Sequence, residues 1–267
     1  MKKLLFILLA VALSGPAWAG PIDDAAAANG RGDYAAELKI TRPLALKGEA
    51  WAQTFLGNSY SAGMGVAKND AEAVKWYRLA AVQGDADAQF KLGFMYDNGQ
   101  GVLQDYAEAV KWYRLAAEQG YASAQLNLGI FYYKGEGVLQ DYAEAMKWFR
   151  LAAAQGSIRA QVNLGFMYEN GQGLLQDYAE AVKWYRLAAV QGDAQAQLNV
   201  GVMYVNGQGV LQDYIKAHAF FNLAATKGDG TAVKYRDMVV KRMTPQQIAD
   251  AQKLARDCLA RNFKGCD

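Results

Sequence analysis

Residues 88–120, AQFKLGFMYDNGQGVLQDYAEAVKWYRLAAEQG, contain most of one copy of a motif that recurs every 36 residues. The heptapeptide Lys-Trp-Tyr-Arg-Leu-Ala-Ala is identical at 75–81, 111–117 and 183–189, and the copy at 147–153 differs only by Phe149 in place of tyrosine. A period of this length is typical of a solenoid, in which each unit buries its apolar face against its neighbours. The repeat therefore decides the fold.

Each copy predicts two helices joined by a glycine-rich turn. The first helix carries an apolar stripe at helical spacing, formed in this copy by Ala88, Leu92, Met95 and Tyr96. Gly93 lies inside this helix, where glycine costs about 1 kcal/mol relative to alanine. Its return in every copy predicts a neighbouring helix that passes too close for a side chain. Asn98-Gly99-Gln100-Gly101 then ends the helix, because glycine reaches the positive φ of a tight turn.

The second helix begins with a predicted capping box. Asp105 is followed three residues later by Glu108, and Asp141 with Glu144 and Asp177 with Glu180 repeat the pattern. The apolar face of this helix consists of Ala109, Trp112, Tyr113, Ala116 and Ala117. We expect its small alanines to pack against the large tryptophan of a neighbouring hairpin, and Gly120 to end the helix.

The recurring string Ala-x-Gln-x-x-Leu-Gly-x-x-Tyr, Gly-x-Gly-Val, Ala-x-x-Trp and Ala-Ala-x-x-Gly resembles the Sel1-like repeat, a relative of the tetratricopeptide repeat. The resemblance implies an all-α fold, a right-handed α-solenoid of tandem helix-turn-helix repeats. It also implies a scaffold for protein–protein or protein–peptide contact. Bacterial members of the class include exported proteins that act at the envelope or toward host cells.

The period and the terminal sequences divide the chain into eight segments. These are a signal peptide (1–19), an N-terminal segment with a degenerate half-repeat (20–51), five repeats (52–87, 88–123, 124–159, 160–195 and 196–231) and a C-terminal helical cap (232–267). Asp33-Tyr34 lies two periods upstream of the identical pair Asp105-Tyr106, where the second helix of a repeat begins. It therefore predicts a second helix in the half-repeat. Thr244-Pro245 combines an N-cap with a first-turn proline and predicts the start of the final helix.

The first residues have the layout of a secretory signal. Lys2 and Lys3 precede an apolar run from Leu4 to Leu13, and Ala17-Trp18-Ala19 matches the small-x-small cleavage pattern. We therefore expect cleavage after Ala19, a periplasmic or secreted mature protein, and no membrane insertion after cleavage, because the apolar run is shorter than the roughly 20 residues of a spanning helix.

The charge balance of the mature chain is even. The full chain has 28 basic and 26 acidic side chains, and removal of Lys2 and Lys3 leaves equal numbers. A nucleic-acid binder needs a basic surplus to neutralise phosphates. We therefore predict no nucleic-acid partner.

Cys258 and Cys266 are the only cysteines, and export places them in an oxidising space, which predicts a disulfide between them. Two cysteines and the single histidine, His218, are too few ligands for a metal site, so we predict no metal and no cofactor. His218 takes the place of Val74, Val110, Met146 and Val182 in the register. We expect it to be partly exposed near the end of the array.

No catalytic motif accompanies the repeats. Some cysteine-rich Sel1-like relatives are associated with binding or hydrolysing β-lactams, but the repeats of this chain contain no cysteine. Ser-x-x-Lys, Gly-x-Ser-x-Gly and His-Glu-x-x-His are all absent from the sequence. We predict a binding protein and no catalytic residues. The alternatives are a β-lactam-binding or hydrolysing cell-wall enzyme and a secreted effector that acts on a host protein.

The first helices carry a second apolar arc, opposite the core stripe, that is a candidate binding surface. Its candidate partner-binding members are Phe90, Lys91, Phe94, Leu126, Asn127, Ile130, Val162, Asn163, Phe166, Leu198, Asn199 and Val202. In the four copies the same arc continues to Asp97, Tyr133, Glu169 and Val205. First helices of related superhelices line the concave side, so this arc predicts an apolar groove whose asparagines bond a peptide backbone. The alternative is that the arc is apolar because neighbouring helices bury it.

Overall fold

A computed structural model of the chain describes residues 20–261, which form fourteen α-helices and no β-strand. The chain divides between Gln83 and Gly84 into two compact units. The first unit contains four helices: α1 (Pro21–Gly30), α2 (Tyr34–Leu46), α3 (Ala50–Ala62) and α4 (Asp70–Ala81). Each helix packs against the next.

The first unit has a buried polar link between its first three helices. Glu37 on α2 is fully buried and accepts hydrogen bonds from Asn29 Nδ2 (2.6 Å) on α1 and Ser59 Oγ (3.1 Å) on α3. The sequence predicted α2, which begins after the N-cap Asp33, but did not predict α1. A buried carboxylate needs such partners because an unpaired one is strongly disfavoured away from water.

The second unit contains ten helices. They are α5 (Ala86–Asn98), α6 (Tyr106–Glu118), α7 (Ala122–Lys134), α8 (Tyr142–Ala154), α9 (Ile158–Asn170), α10 (Tyr178–Ala189), α11 (Ala194–Asn206), α12 (Tyr214–Ala225), α13 (Gly230–Val240) and α14 (Pro245–Ala260). From α5 to α12 each helix packs against its neighbours in the chain, and α13 and α14 both pack against α12. This succession of helical hairpins confirms the predicted all-α solenoid class.

The glycine inside each first helix marks a close approach to the second helix, as the sequence predicted. A Cβ at Gly93 would lie 2.8 Å from the Tyr113 ring, and a Cβ at Gly129 would lie 2.6 Å from the Phe149 ring. The expected packing of tryptophan against alanines of a neighbouring hairpin is also observed, because Trp148 on α8 is 6% exposed and belongs to the same core cluster as Ala109 and Ala116 of α6. Tyr113 is fully buried, whereas Trp112 is only half-buried, because the next residue on a helix points about 100° away.

The turn glycines also behave as predicted. Gly99 ends α5 in the left-handed conformation with a φ of 64°, and its N–H bonds the carbonyl of Met95. Gly101 follows with a φ of 69°. Side chains with a Cβ rarely adopt this region, so both positions favour glycine.

The predicted capping boxes of the second helices are only half formed. Asp105 accepts a hydrogen bond from the Glu108 N–H at 3.0 Å, but Glu108 pairs with Lys111 in the following turn. The Asp105 N–H is already bonded to the carbonyl of Tyr96 on the preceding first helix, at 3.0 Å. The N-cap residue therefore connects the two helices of the hairpin. Its N–H is not left unpaired for the Glu108 side chain to bond.

A ladder of buried glutamines connects consecutive hairpins. Gln125 on α7 donates to the Ala117 carbonyl of α6 (3.1 Å) and accepts a hydrogen bond from Gln155 after α8 (2.8 Å). The equivalent glutamines, at most 4% exposed, are Gln53, Gln89, Gln161 and Gln197. The Ala117 carbonyl also accepts the Gly120 N–H at 3.0 Å, so the glutamine supplies an additional hydrogen bond. The recurrence was visible in the sequence, but its cause is the satisfaction of these buried polar groups between hairpins.

The C-terminal helices close the end of the second unit. The predicted N-cap Thr244 forms a complete capping box with Gln247, because Thr244 Oγ1 accepts from the Gln247 N–H and Gln247 Oε1 accepts from the Thr244 N–H. His218 on α12 is only 2% exposed, which corrects the expectation of a partly exposed residue. The helices α13 and α14 cover α12 where the next repeat would otherwise stand.

The predicted disulfide and signal peptide involve residues outside the described range. Cys258 is 2% exposed and belongs to the core around α12, while Cys266 lies beyond residue 261. Residues 1–19 precede the range. Both features stay predictions.

Candidate protein-binding site

The predicted binding arc lies on the first helices α5, α7, α9 and α11, and its aromatic members differ in exposure. Phe94 is 42% exposed and Phe166 is 44% exposed, which is high for phenylalanine. Phe90, in contrast, stacks on Tyr121 with ring centroids 4.9 Å apart. Lys91 lies 3.8 Å from the Asp87 carboxylate. Only part of the arc therefore offers apolar surface to a partner.

Two residues of the arc belong to the hydrophobic core. Leu126 and Leu198 are each 7% exposed and pack within the core clusters of the second unit. Their assignment to a binding surface is corrected: a neighbouring helix covers them. Val162 and Val202 are partly buried against the same core as Leu198, and Ile130 is partly buried beside Leu126.

Two of the three arc asparagines bond tyrosines inside the protein. Asn127 donates to the Tyr113 hydroxyl, which in turn donates to Asp97 Oδ2 at 3.3 Å. Asn199 and Tyr185 form the same arrangement with Glu169 Oε2, at 2.7 Å. The amides of Asn127 and Asn199 therefore already form hydrogen bonds within the protein, and any hydrogen bond to a peptide backbone would be additional.

The tyrosines of these networks are fully buried. Burial raises the pKa of Tyr113 and of Tyr185 well above the usual range, and the neighbouring carboxylates add to the effect. Burial also raises the pKa of Asp97, against the opposing hydrogen bond from Tyr113. The tyrosines therefore act as neutral donors.

The third asparagine lies in a different environment. Asn163 lacks an equivalent tyrosine hydroxyl, because Phe149 stands at that position. Instead it lines an open cavity of about 350 Å³, which we call the third-repeat cavity. The cavity is lined by Ile130, Tyr133, Lys134, Phe149, Arg159, Asn163 and Phe166. Its walls are aromatic and aliphatic, with two cations and one amide.

A second cavity of about 270 Å³ adjoins the third-repeat cavity and shares Ile130, Lys134 and Arg159 with it. Phe94 and Asn127 line this second cavity, together with the carboxylates of Asp97 and Glu136. The exposed phenylalanines Phe94 and Phe166 thus belong to two contiguous depressions on one face of the second unit.

The sequence-based prediction included Ile130, Tyr133, Asn163 and Phe166 but missed Lys134 and Arg159. The residues that were missed differ from those at the same positions in the other repeats, and this difference is the signal that could have identified them. Lys134 stands where Asn98, Asn170 and Asn206 stand in the other copies, and Arg159 stands where they have Asp87, Ser123 and Gln195. A search for what recurs does not detect the residues that fail to recur.

Residues 20–261 contain neither a metal-binding cluster nor a membrane-spanning helix. This range contains no group of three or more His, Cys, Asp or Glu side chains placed to hold a metal ion. None of its helices is both long and apolar enough to cross a bilayer.

The tandem hairpins define an α-solenoid repeat protein, and the sequence matches the corresponding family. The Sel1 repeat matches at residues 52–85, 86–121, 122–157, 158–193 and 194–229, more than half of the chain. The protein therefore belongs to the Sel1 repeat family. Sel1 repeat proteins are typically non-catalytic scaffolds for protein–protein interaction.

Two solved structures show the same fold. A protective antigen present in uropathogenic Escherichia coli strains, with an SLR fold, is 34% identical with a TM-score of 0.80; the match covers 90% of this chain and 55% of the antigen. A Sel1 repeat protein from Oxalobacter formigenes is 35% identical with a TM-score of 0.75, over 81% of this chain and 86% of that one. No curated protein sequence matches the chain.

Proposed function

We propose that the chain is an exported scaffold that binds a protein or peptide partner on the face formed by α5, α7, α9 and α11, the side expected to be concave. The observation that carries the proposal is the pair of exposed phenylalanines, Phe94 and Phe166, in two adjoining cavities. Exposed aromatic side chains in concave, mainly apolar surfaces are the usual anchors of protein and peptide interfaces.

Export rests on the sequence of residues 1–19 alone. It is tested by expressing the full chain in a Gram-negative host and separating periplasm, cytoplasm and medium. An N-terminus that begins at Gly20 in the periplasm or medium supports the proposal. A chain that retains Met1 or stays in the cytoplasm contradicts it.

Partner binding is tested by affinity capture from an envelope extract, with the mature chain from Gly20 as bait. The test variant carries Phe94→Glu and Phe166→Glu, which place two charges on the proposed face. The control variant carries Leu103→Glu and Leu175→Glu. These leucines lie in turns of the same two repeats and are 91% exposed, so the control adds the same charge away from the face.

A specific result is a protein retained by the wild type and by the control variant but lost by the test variant. Circular dichroism must show that both variants keep their helices. A protein retained equally by both variants would place the interaction elsewhere on the molecule and contradict the proposal.

A further inference from the structure

The third-repeat cavity differs in charge from the equivalent positions in its neighbours. In the second repeat, the positions of Tyr133, Lys134 and Arg159 hold Asp97, Asn98 and Ser123, with one negative charge. In the fourth repeat they hold Glu169, Asn170 and Gln195, again with one negative charge. The third repeat carries two positive charges there. Three substitutions within one solenoid therefore converge on a single cavity and reverse its charge.

The two cations are available to different degrees. Lys134 lies 3.5 Å from Glu136, and both side chains are about half exposed. Arg159 is exposed and takes part in none of the hydrogen bonds or ion pairs found between residues 20 and 261. A guanidinium presents a planar set of donors that fits a carboxylate in a bidentate manner. Arg159 therefore provides an anion-binding group at the mouth of an apolar cavity.

The cavity itself has room for an apolar anchor. Its volume of about 350 Å³ lies at the small end of ligand pockets, which span about 300–1,000 Å³. It therefore fits one large side chain and part of the adjoining backbone. Phe149, Ile130 and Phe166 supply the apolar walls, and the Asn163 amide, which lacks the tyrosine partner of its equivalents, is placed among them.

Within residues 20–261, no acidic side chain lines the third-repeat cavity. Asp97 and Glu136 line the adjoining cavity and not the third-repeat cavity. Glu169, one turn from Phe166 on α9, also does not line it and accepts a hydrogen bond from the Tyr185 hydroxyl. A carboxylate of a partner that enters the third-repeat cavity therefore meets Arg159 and Lys134 and no acidic side chain of the described lining. Charge complementarity of this kind selects partners and increases the rate of association.

We propose that the third-repeat cavity binds an internal acidic segment of the partner, with an aromatic side chain inserted into the cavity and an adjacent Asp or Glu carboxylate bound by Arg159 and Lys134. This inference rests on the proposed function and specifies the chemistry of the partner at one point of the same face.

The test measures fluorescence anisotropy of the mature protein with labelled peptides, capped at both ends so that only side chains carry charge. Three peptides share a Gly/Ser background and differ in their cores: Asp-Phe-Asp, Asp-Ala-Asp and Lys-Phe-Lys. We expect the first to bind with a Kd on the order of 100 µM and the other two at least about tenfold more weakly.

Two variants restore the residues of neighbouring repeats: Arg159→Gln and Lys134→Asn. We expect Arg159→Gln to weaken Asp-Phe-Asp binding about tenfold and to reduce its dependence on salt. Lys134→Asn has a smaller effect in the same direction, because Glu136 already pairs with Lys134. The control is Lys183→Asn on α10, which removes one exposed positive charge that does not line either cavity.

Three outcomes would overturn the inference. One is no binding of Asp-Phe-Asp at about 1 mM peptide, and another is equal loss with Lys183→Asn. The third is Lys-Phe-Lys binding as tightly as Asp-Phe-Asp. If the two phenylalanine peptides bind equally and Phe166→Ala abolishes the binding of both, the apolar face remains a binding surface. Only the proposed preference for acidic peptides then fails. Failure of the proposed function itself appears separately, in the affinity capture.

Discussion

Replacement of Gly201 by alanine tests whether close helix packing or helix propensity dominates at the recurring glycine. A Cβ at Gly201 would lie 2.5 Å from Cε1, 2.7 Å from Cδ1 and 3.0 Å from Cζ of Phe221. Carbon atoms pack at about 3.5–4.0 Å, so the ring would have to move by about 1 Å. Phe221 is fully buried and stacks on Tyr235 with ring centroids 5.5 Å apart, which leaves it little room.

The two opposing effects can be compared in magnitude. In an unobstructed helix interior, alanine is about 1 kcal/mol more stabilising than glycine. Overpacking of a core costs about 1–3 kcal/mol, and the upper part of this range applies because three ring atoms are too close. We therefore expect Gly201→Ala to lower the free energy of unfolding by about 1–2 kcal/mol.

The assay is urea unfolding followed by far-UV circular dichroism, with midpoints compared because repeat arrays need not unfold in a single step. Gly230→Ala is the matched control: Gly230 begins α13, and a Cβ there meets no atom within 4 Å. Its midpoint should stay the same or rise slightly. Adding Phe221→Leu to Gly201→Ala should recover part of the loss, with a coupling energy of about 1 kcal/mol or more.

A Gly201→Ala variant with an equal or higher midpoint than the wild type would refute the argument. Strict additivity of Gly201→Ala and Phe221→Leu would also refute it, because the two changes would then act independently.

The other predictions concern charge, hydrogen bonding and exposure. Burial and, to a lesser degree, Arg236 lower the pKa of His218 in the folded protein, against a smaller opposite effect of Asp237. The unfolded chain therefore binds more protons than the folded protein, and stability falls on acidification. We expect His218→Met to reduce this loss of stability between about pH 7.5 and about pH 5. Gln125→Ala should lower the free energy of unfolding by about 1–3 kcal/mol, because the two hydrogen bonds of a buried side chain, to Ala117 and from Gln155, are lost. Leu139→Gln should change it by less than about 0.5 kcal/mol, because Leu139 is 91% exposed. Urea midpoints measure all three.

Each of these predictions has its own control. An unchanged dependence on pH in His218→Met would show that carboxylates alone govern acid stability. Gln197→Ala should cost less than Gln125→Ala, because Gln197 Oε1 lacks a hydrogen-bond partner within the described chain; an equal cost would contradict the ladder. Leu128→Gln, at a fully buried leucine, should be severely destabilising, and a mild effect would argue against the assigned core.

The sequence by itself determined the repeat, the helices and the turns. The period of 36 residues, the apolar stripe of the first helix, the positive-φ glycines and the capping aspartates are all encoded within one copy. They could be predicted because each repeat contacts mainly its neighbours, so local pattern and tertiary structure agree. The steric role of Gly93 was predictable for the same reason, and the structure identifies Tyr113 as the side chain that approaches it.

Only the tertiary structure decided which side chains remain accessible. Phe94 and Leu126 belong to the same predicted arc, yet one is exposed and the other is core, because burial depends on the neighbouring helix. His218 is buried on α12, which α13 and α14 cover, and α14 follows no repeat pattern. The third-repeat cavity combines side chains of α7, α8 and α9, and Arg159 contributes to it by departing from the repeat. Such a site arises where several helices meet, and no single copy of the sequence contains it.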